Sequence, residues 1–325
     1  MKKLKILIVG CGSIGLRHLR NLKENTDCEL IVFDPKNSNL NDFTDYNKAL
    51  DQRPDGVIIA SPTNLHVQQA KKAAQRGCHL LIEKPLSHNL EGVDDLIRIV
   101  EAKKVKVLIG FCLRMHKQMQ KIKELLDQNA IGRVYSARLT AGNYLPNWRS
   151  EKDYSQLYNA KKELGGGVIF DLMHEIDYAL WLFGDVERLD ANICKLSDLK
   201  IDTEDCAEIF LKFKNNTIAQ IHLDYLNRKL NRSCELIGEF GNIEWDYVKG
   251  SLIVTDARDN SIKDFSINNY DINDMYIEEI KHFLNCIKGK EEPLIDIYDG
   301  KKSLEIALAI KKYDNSNIDY NKNKI

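Results

Sequence analysis

Short unbroken apolar runs alternate with helical stripes over the first part of the chain. Residues 4–9, LKILIV, form one such run, and beyond it Ile14, Leu16, Leu19 and Leu22 recur at helical spacing. Further runs follow at 29–34, 55–61, 79–84 and 105–111, separated by helical stretches near 64–76 and 89–103. Strands that are apolar throughout, rather than on every second residue, are buried on both faces, which predicts a parallel sheet covered by helices. After about residue 117 the period changes. The helical stretch KQMQKIKELLDQNA leads into RVYSARLTAG, where apolar and polar positions alternate, and runs at 205–213, 217–225, 232–239 and 250–256 do the same. The turn signals KNNT and EFGN join neighbours that suit antiparallel pairing. Two amphipathic helices, MYIEEIKHFLNCI and GKKSLEIALAIKKY, precede a polar tail.

The pattern predicts an α/β domain over residues 1–117, with a doubly wound parallel sheet. An α+β domain over 118–325 follows, built on a large, mostly antiparallel open sheet, with its last helices free to pack back on the first domain. A length of 325 residues also favours two domains. With 47 basic and 48 acidic residues the net charge is −1, so no electrostatic footprint for nucleic acid is present. Eight cysteines, none in a C-x-x-C pair and most inside apolar stretches, argue against zinc ligation and for reduced thiols in a cytosol. The first apolar run ends after six residues, too short for a signal-peptide core, and no segment approaches a membrane span. A cytoplasmic protein is expected.

Three stretches carry candidate chemistry. Gly10-Cys11-Gly12-Ser13-Ile14-Gly15 is a G-x-G-x-x-G between a strand and a helix, where a tight turn and a helix N-terminus receive a pyrophosphate. Asp34 closes the next strand, 19 positions after Gly15, where a ribose 2′-hydroxyl would bind. Its charge favours NAD over NADP by repelling a 2′-phosphate, a preference that Lys36 weakens. The pattern is that of a Rossmann nucleotide-binding domain. In LLIEKPLS, Glu83, Lys84 and Pro85 end the fourth strand, at the sheet edge where ligands bind in this fold. Proline keeps the preceding lysine out of helix and permits a cis bond. Lys84 would then either stabilise charge on a substrate oxygen or simply solvate the strand end. Finally, GGGVIFDLMHEID (165–177) places three glycines before a helix with Asp171, His174 and Asp177 at three-residue intervals. Asp171, His174 and Glu175 are expected on one helical face.

These elements, with SPTNLHVQQA (61–70), occur in an order and at intervals that resemble the Gfo/Idh/MocA family, which includes glucose–fructose oxidoreductase and inositol dehydrogenases. The resemblance covers nearly the whole chain. It implies NAD(P)-dependent hydride transfer at a carbinol or keto carbon of a sugar, polyol or nucleotide-sugar, and a C-terminal sheet used for homodimer or homotetramer contacts. It also implies roles. Lys84 matches the active-site lysine; Ser61, Thr63, Asn64 and His66 match the loop passing the cofactor; Glu83 and Arg114 match positions lining the nicotinamide end. The glycines would let the following helix approach the nicotinamide. His174, titrating near neutral pH, would exchange a proton with substrate beside Lys84, and Asp171 would orient it, contact substrate, or both.

Inositol dehydrogenases typically space this Asp and His by four residues; here the spacing is three and Glu175 takes the fourth position. The D-x-x-H-E-I-D variant most resembles bacterial members tied to surface-sugar biosynthesis. Asn143, Tyr144, Trp148 and Arg149, in NYLPNWR, suit a sugar ring and an anionic group as well as they suit surface packing. Asp171, His174, Glu175 and His222 are the donors a metal would need, but no histidine pair has a metal spacing, so none is expected. Two other functions fit the same residues: a glycosidase that recycles tightly bound NAD, and a dinucleotide sensor without turnover.

Overall fold

The computed structural model describes residues 3–35, 42–43, 45–148 and 151–313. The chain divides into two compact units, one of Met1–His116 with Asp271–Leu304, the other of Lys117–Tyr270 with Glu305–Ile325.

The first unit alternates as the apolar runs predict: β1 (Lys5–Val9), α1 (Ser13–Asn25), β2 (Glu29–Phe33), α2 (Tyr46–Leu50), β3 (Gly56–Ile59), α3 (His66–Gln75), β4 (His79–Glu83), α4 (Val93–Lys103) and β5 (Val107–Gly110). All pairings are parallel, in the order β2-β1-β3-β4-β5. The strand order reverses at β1, and the carboxyl ends beyond it are where ligands bind in such sheets. Ile6, Leu7, Ile8, Val57, Ile58, Ile59, Leu80, Leu81 and Ile82 are fully shielded, which explains runs apolar on both parities. Each such side chain contributes roughly 1.5–3 kcal/mol by leaving water.

The second unit opens with α5 (Lys117–Asp127) and β6 (Val134–Gly142). Two short helices follow, α6 (Val168–Asp171) and α7 (His174–Phe183), then β7 (Val186–Cys194), β8 (Cys206–Phe213), β9 (Ile218–Asp224), β10 (Asn231–Gly238), β11 (Gly241–Asp246), β12 (Ser251–Asp256) and β13 (Ser261–Asp264). The eight strands form one sheet, β13-β12-β11-β10-β6-β9-β8-β7, antiparallel except for the β6–β9 pair. Its edge strands, β13 and β7, lay outside the period-two runs, since edge positions mix polar and apolar residues. One parity of the inner strands is core, with Ala137, Leu139, Ile209, Leu211, Ile221, Leu223 and Leu236 buried; α6 and α7 pack on that face. Helices α8 (Asn273–Ile287) and α9 (Ile297–Lys311) close the described chain, and the division between units falls within α9. Among the described residues no helix is long and apolar enough to cross a membrane.

Candidate active site

In the first unit the glycine turn is dictated by crowding. Gly10 follows β1 at φ +88°, a conformation that favours glycine, and its N–H donates to Phe33 O at 2.8 Å. A Cβ on Gly15 would stand 1.9 Å from Gly10 O, so α1 packs against the turn only without a side chain there. Gly12 differs: nothing lies within 4 Å of where its Cβ would be. Gly12 and Ser13 are exposed and Ile14 is half-buried. No side chain caps α1, and its first turn holds no acidic residue. An open glycine at the positive end of a helix fits a dinucleotide's pyrophosphate. The Asp34 carboxylate reaches this turn from the end of β2, accepting from Cys11 N at 2.7 Å.

Lys84 follows β4 directly and is half-buried, and its peptide bond to Pro85 is cis. His66 holds this segment. Its ring is buried between two backbone carbonyls, with Nδ1 2.9 Å from Pro85 O and Nε2 2.9 Å from Ser61 O. Burial pulls the imidazole below its ordinary range, so the neutral ring donates to one carbonyl. His66 therefore ties the loop after β3 to the loop after β4. In the first of these loops Ser61 donates to Gln69 Oε1 at 2.5 Å, Thr63 is buried and Asn64 is exposed.

Glu83 and Arg114 point into the interior of this unit. Glu83 Oε1 lies 2.6 Å from Nε2 of the fully buried His18, and Arg114, 2% exposed, lies 3.5 Å from Asp299. Glu279, from α8, joins His18 and Glu83, one ligand atom of each lying within 4.8 Å of the others. Both Glu279 oxygens are buried without a hydrogen-bond partner among the described residues. Burial first, and the Glu83 charge second, push this carboxyl well above its ordinary range, so it is held neutral. Nothing in the spacing marks His18 or Glu279 as partners of Glu83; each is only one polar residue on an amphipathic helix.

In the second unit two of the three glycines are crowded by the chain itself. A Cβ on Gly166 would meet Tyr158 O at 2.3 Å and Asn159 O at 2.5 Å, and one on Gly167 would meet the Glu204 carboxylate. The single helix expected here is two. Leu172 and Met173 form a turn between α6 and α7, so Asp171 ends one helix and His174 begins the next. The shared helical face expected for Asp171, His174 and Glu175 is thereby lost. Asp171 is buried and accepts hydrogen bonds from Asn159 Nδ2 and, at 2.6 Å, from Tyr225 OH. Glu175, fully buried, pairs with Arg232 of β10 at 2.7 Å. Glu175, at the fourth position, is thus bound up in an ion pair.

Trp148 packs edge-on against Tyr225 with ring centroids 5.4 Å apart, and its Nε1 donates to Asn143 O at 3.1 Å. Arg228 lies 3.7 Å over the Tyr144 ring. Arg149 and Lys36 fall outside the described residues. His222 stands with Glu208 and Asp224, so the set Asp171, His174, Glu175 and His222 is not gathered. Tyr225, Asn159 and Arg232 complete the constellation, and of these only Tyr225 carried a signal, as the next core-parity position after Leu223.

Residues 4–111 match the oxidoreductase family with an NAD-binding Rossmann fold, and residues 119–244 match the GFO/IDH/MocA C-terminal domain. The chain is 30% identical to a myo-inositol 2-dehydrogenase of Thermotoga maritima, over 95% of this chain and 96% of that protein. The structure of a levoglucosan dehydrogenase in complex with NADH superposes with a TM-score of 0.86 at 20% identity, covering 96% of this chain and 97% of the other. A UDP-N-acetylglucosamine 3-dehydrogenase from Acidithiobacillus ferrooxidans superposes at 0.79 and 21% identity, covering 97% and 99%. At such identities the two superpositions speak to fold. Lys84 and the glycine turn lie within the stretch that matches the nucleotide-binding fold, and Asp171 and His174 within the stretch that matches the C-terminal domain. The chain belongs to the GFO/IDH/MocA family of oxidoreductases, and its N-terminal unit is an NAD-binding Rossmann domain.

Proposed function

We propose that the protein is a dehydrogenase or reductase acting on a CH–OH carbon of a sugar, polyol or nucleotide-sugar. One observation carries this reading furthest. Lys84 stands at the carboxyl end of β4, on the same sheet edge as the glycine turn after β1, because all strands between them run parallel. Bound NAD supplies a hydride acceptor or donor at its nicotinamide. Lys84 holds the substrate oxygen with its ammonium group and stabilises the negative charge that develops there. His174 takes the hydroxyl proton in oxidation and returns it in reduction. Its Nδ1 is shut off from solvent, which leaves Nε2 as the nitrogen that exchanges with substrate. Asp171 is a positioning residue beside the start of α7, fixed by Asn159 and Tyr225. Asp34 favours NAD over NADP by its charge. The name of the Thermotoga maritima relative supports the substrate class, a cyclic polyol.

Association of like subunits through the outer face of the eight-stranded sheet belongs to the same reading. Phe210, Ile218 and Ile262 there are 47%, 53% and 69% exposed, which supports it. A cytosolic setting is supported by eight cysteines without a disulfide among them.

The test is cofactor reduction by the purified protein with NAD or NADP and a panel of polyols, free sugars and nucleotide-sugars. Lys84→Ala is expected to lower turnover by about 10²–10³-fold while nucleotide binding persists. Equal turnover by the variant would overturn the role of Lys84. Bound NAD without net reduction of any substrate would favour a recycled cofactor.

A further inference from the structure

A second group of ligating side chains stands in the second unit, away from Asp171 and His174. The register of β7, β8 and β9 lays it out as a grid. One row pairs Cys194 with Cys206 and Cys206 with Asp224; the next pairs Asn192 with Glu208 and Glu208 with His222. Residues two apart on a strand share a face, so all six stand opposite the core parity of Ala207, Ile209, Ile221 and Leu223. The Cys206 thiol, a Glu208 oxygen and a His222 ring nitrogen lie within 4.8 Å of one another. His222 Nδ1 meets Glu208 Oε1 at 2.6 Å and Nε2 meets Asp224 Oδ2 at 2.9 Å. Asp224 is fixed in turn by Leu226 N and Asn227 N, each 2.6 Å from Oδ1. Glu208 Oε2, by contrast, is closed to solvent and has no hydrogen-bond partner among the described residues.

We propose that Cys206, Glu208 and His222 bind a divalent metal ion of the zinc class. A thiolate, an imidazole and a carboxylate on three corners of a small grid are the donors zinc takes at a tetrahedral site. Magnesium and calcium ask for oxygen alone, and the thiolate selects against them. Glu208 turns from its hydrogen bond to the ion, which gives its second oxygen a partner. His222 ligates through Nδ1 while Nε2–H donates to Asp224, a carboxylate–histidine–metal arrangement that fixes the tautomer. Cys194, across the strand from Cys206, is the candidate fourth ligand; its thiol now donates to Asn192 Oδ1 at 3.1 Å.

The experiment uses the whole chain, stripped with a chelator and titrated with cobalt(II). The expected result is a thiolate-to-cobalt charge-transfer band that saturates at one ion per chain and is displaced by zinc. Cys206→Ser removes the Cys206 share of the band, and Cys206→Ser with Cys194→Ser abolishes it. Asp224→Asn, which meets the imidazole on its far side and keeps Oδ1 for Leu226 N and Asn227 N, weakens affinity about 10–100-fold. X-ray absorption on the zinc-loaded wild-type chain gives a check that needs no variant, with sulfur at about 2.3 Å and nitrogen or oxygen at about 2.0 Å. No charge-transfer band in the wild type, or one that persists unchanged in a folded Cys206→Ser, overturns the site.

Discussion

Asp171 owes its orientation to two neutral donors, Asn159 Nδ2 and Tyr225 OH. Burial and the Asp171 charge push the Tyr225 phenol far above its ordinary range, so it remains a donor at any pH the fold survives. Tyr225→Phe keeps the ring against Trp148 and removes only the hydroxyl. A carboxylate oxygen left short of a donor costs about 1–3 kcal/mol, and a chain of this size loses about 2–4 °C of melting temperature per kcal/mol. Turnover is expected to fall with KM little changed if Asp171 has the positioning role proposed for it at the start of α7. Unchanged melting and turnover together would remove Asp171 from that role. The reach of sequence reading is plain at this scale. Gly10, Gly15, Asp34 and Lys84 are legible because strand, turn and spacing are local. Tyr225 and Asn159 meet Asp171 from 54 and 12 positions away, and only strand register brings the first of them there.

Among elements, α1, β4 and α8 meet at His18, Glu83 and Glu279. Glu279 is raised above the ordinary 4.5 of a glutamate, so the folded chain keeps a proton that the unfolded chain gives up. Stability from this group is therefore complete below about pH 4.5 and declines as pH rises toward the folded value. Glu279→Gln supplies a permanently neutral side chain of the same shape. The variant's denaturation midpoint is expected to match the wild type near pH 5 and to exceed it increasingly toward pH 9, all other titrations being common to both. Parallel pH curves would show that Glu279 ionises freely. The apolar periods foretold all three elements, but not their meeting, which depends on how α8 packs on α1. They also suggested one helix across 168–183, where the structure has a turn at Leu172 and Met173. Three-residue spacing is compatible with either, and the tie from Asp171 to Tyr225 is invisible in it.

At the scale of the whole molecule, the outer sheet face is the surface through which the proposed association of like subunits would run. Parity along β6, β8, β9, β10 and β12 foretold an alternating sheet and hence two unlike faces. What covers the outer one is not written in the alternation. A double variant, Phe210→Asp with Ile218→Asp, places charge at two exposed apolar positions of that face without touching the core parity. Light scattering is expected to report an oligomer for the wild-type chain and a smaller species for the variant; equal masses would move the interface elsewhere.

The interleaving of the two units has a consequence for synthesis. The first unit needs α8, from residues 271–304, beside α1, but the ribosome makes 117–270 in between. At roughly 5–20 residues per second, that interval lasts on the order of ten to thirty seconds. During it the eight-stranded sheet emerges whole, while the nucleotide-binding unit waits with the α1 surface bare. A nascent chain would thus carry the glycine turn and Lys84 long before it could complete the unit that holds them, and the late arrival of α8 sets when the first-made domain becomes a protein.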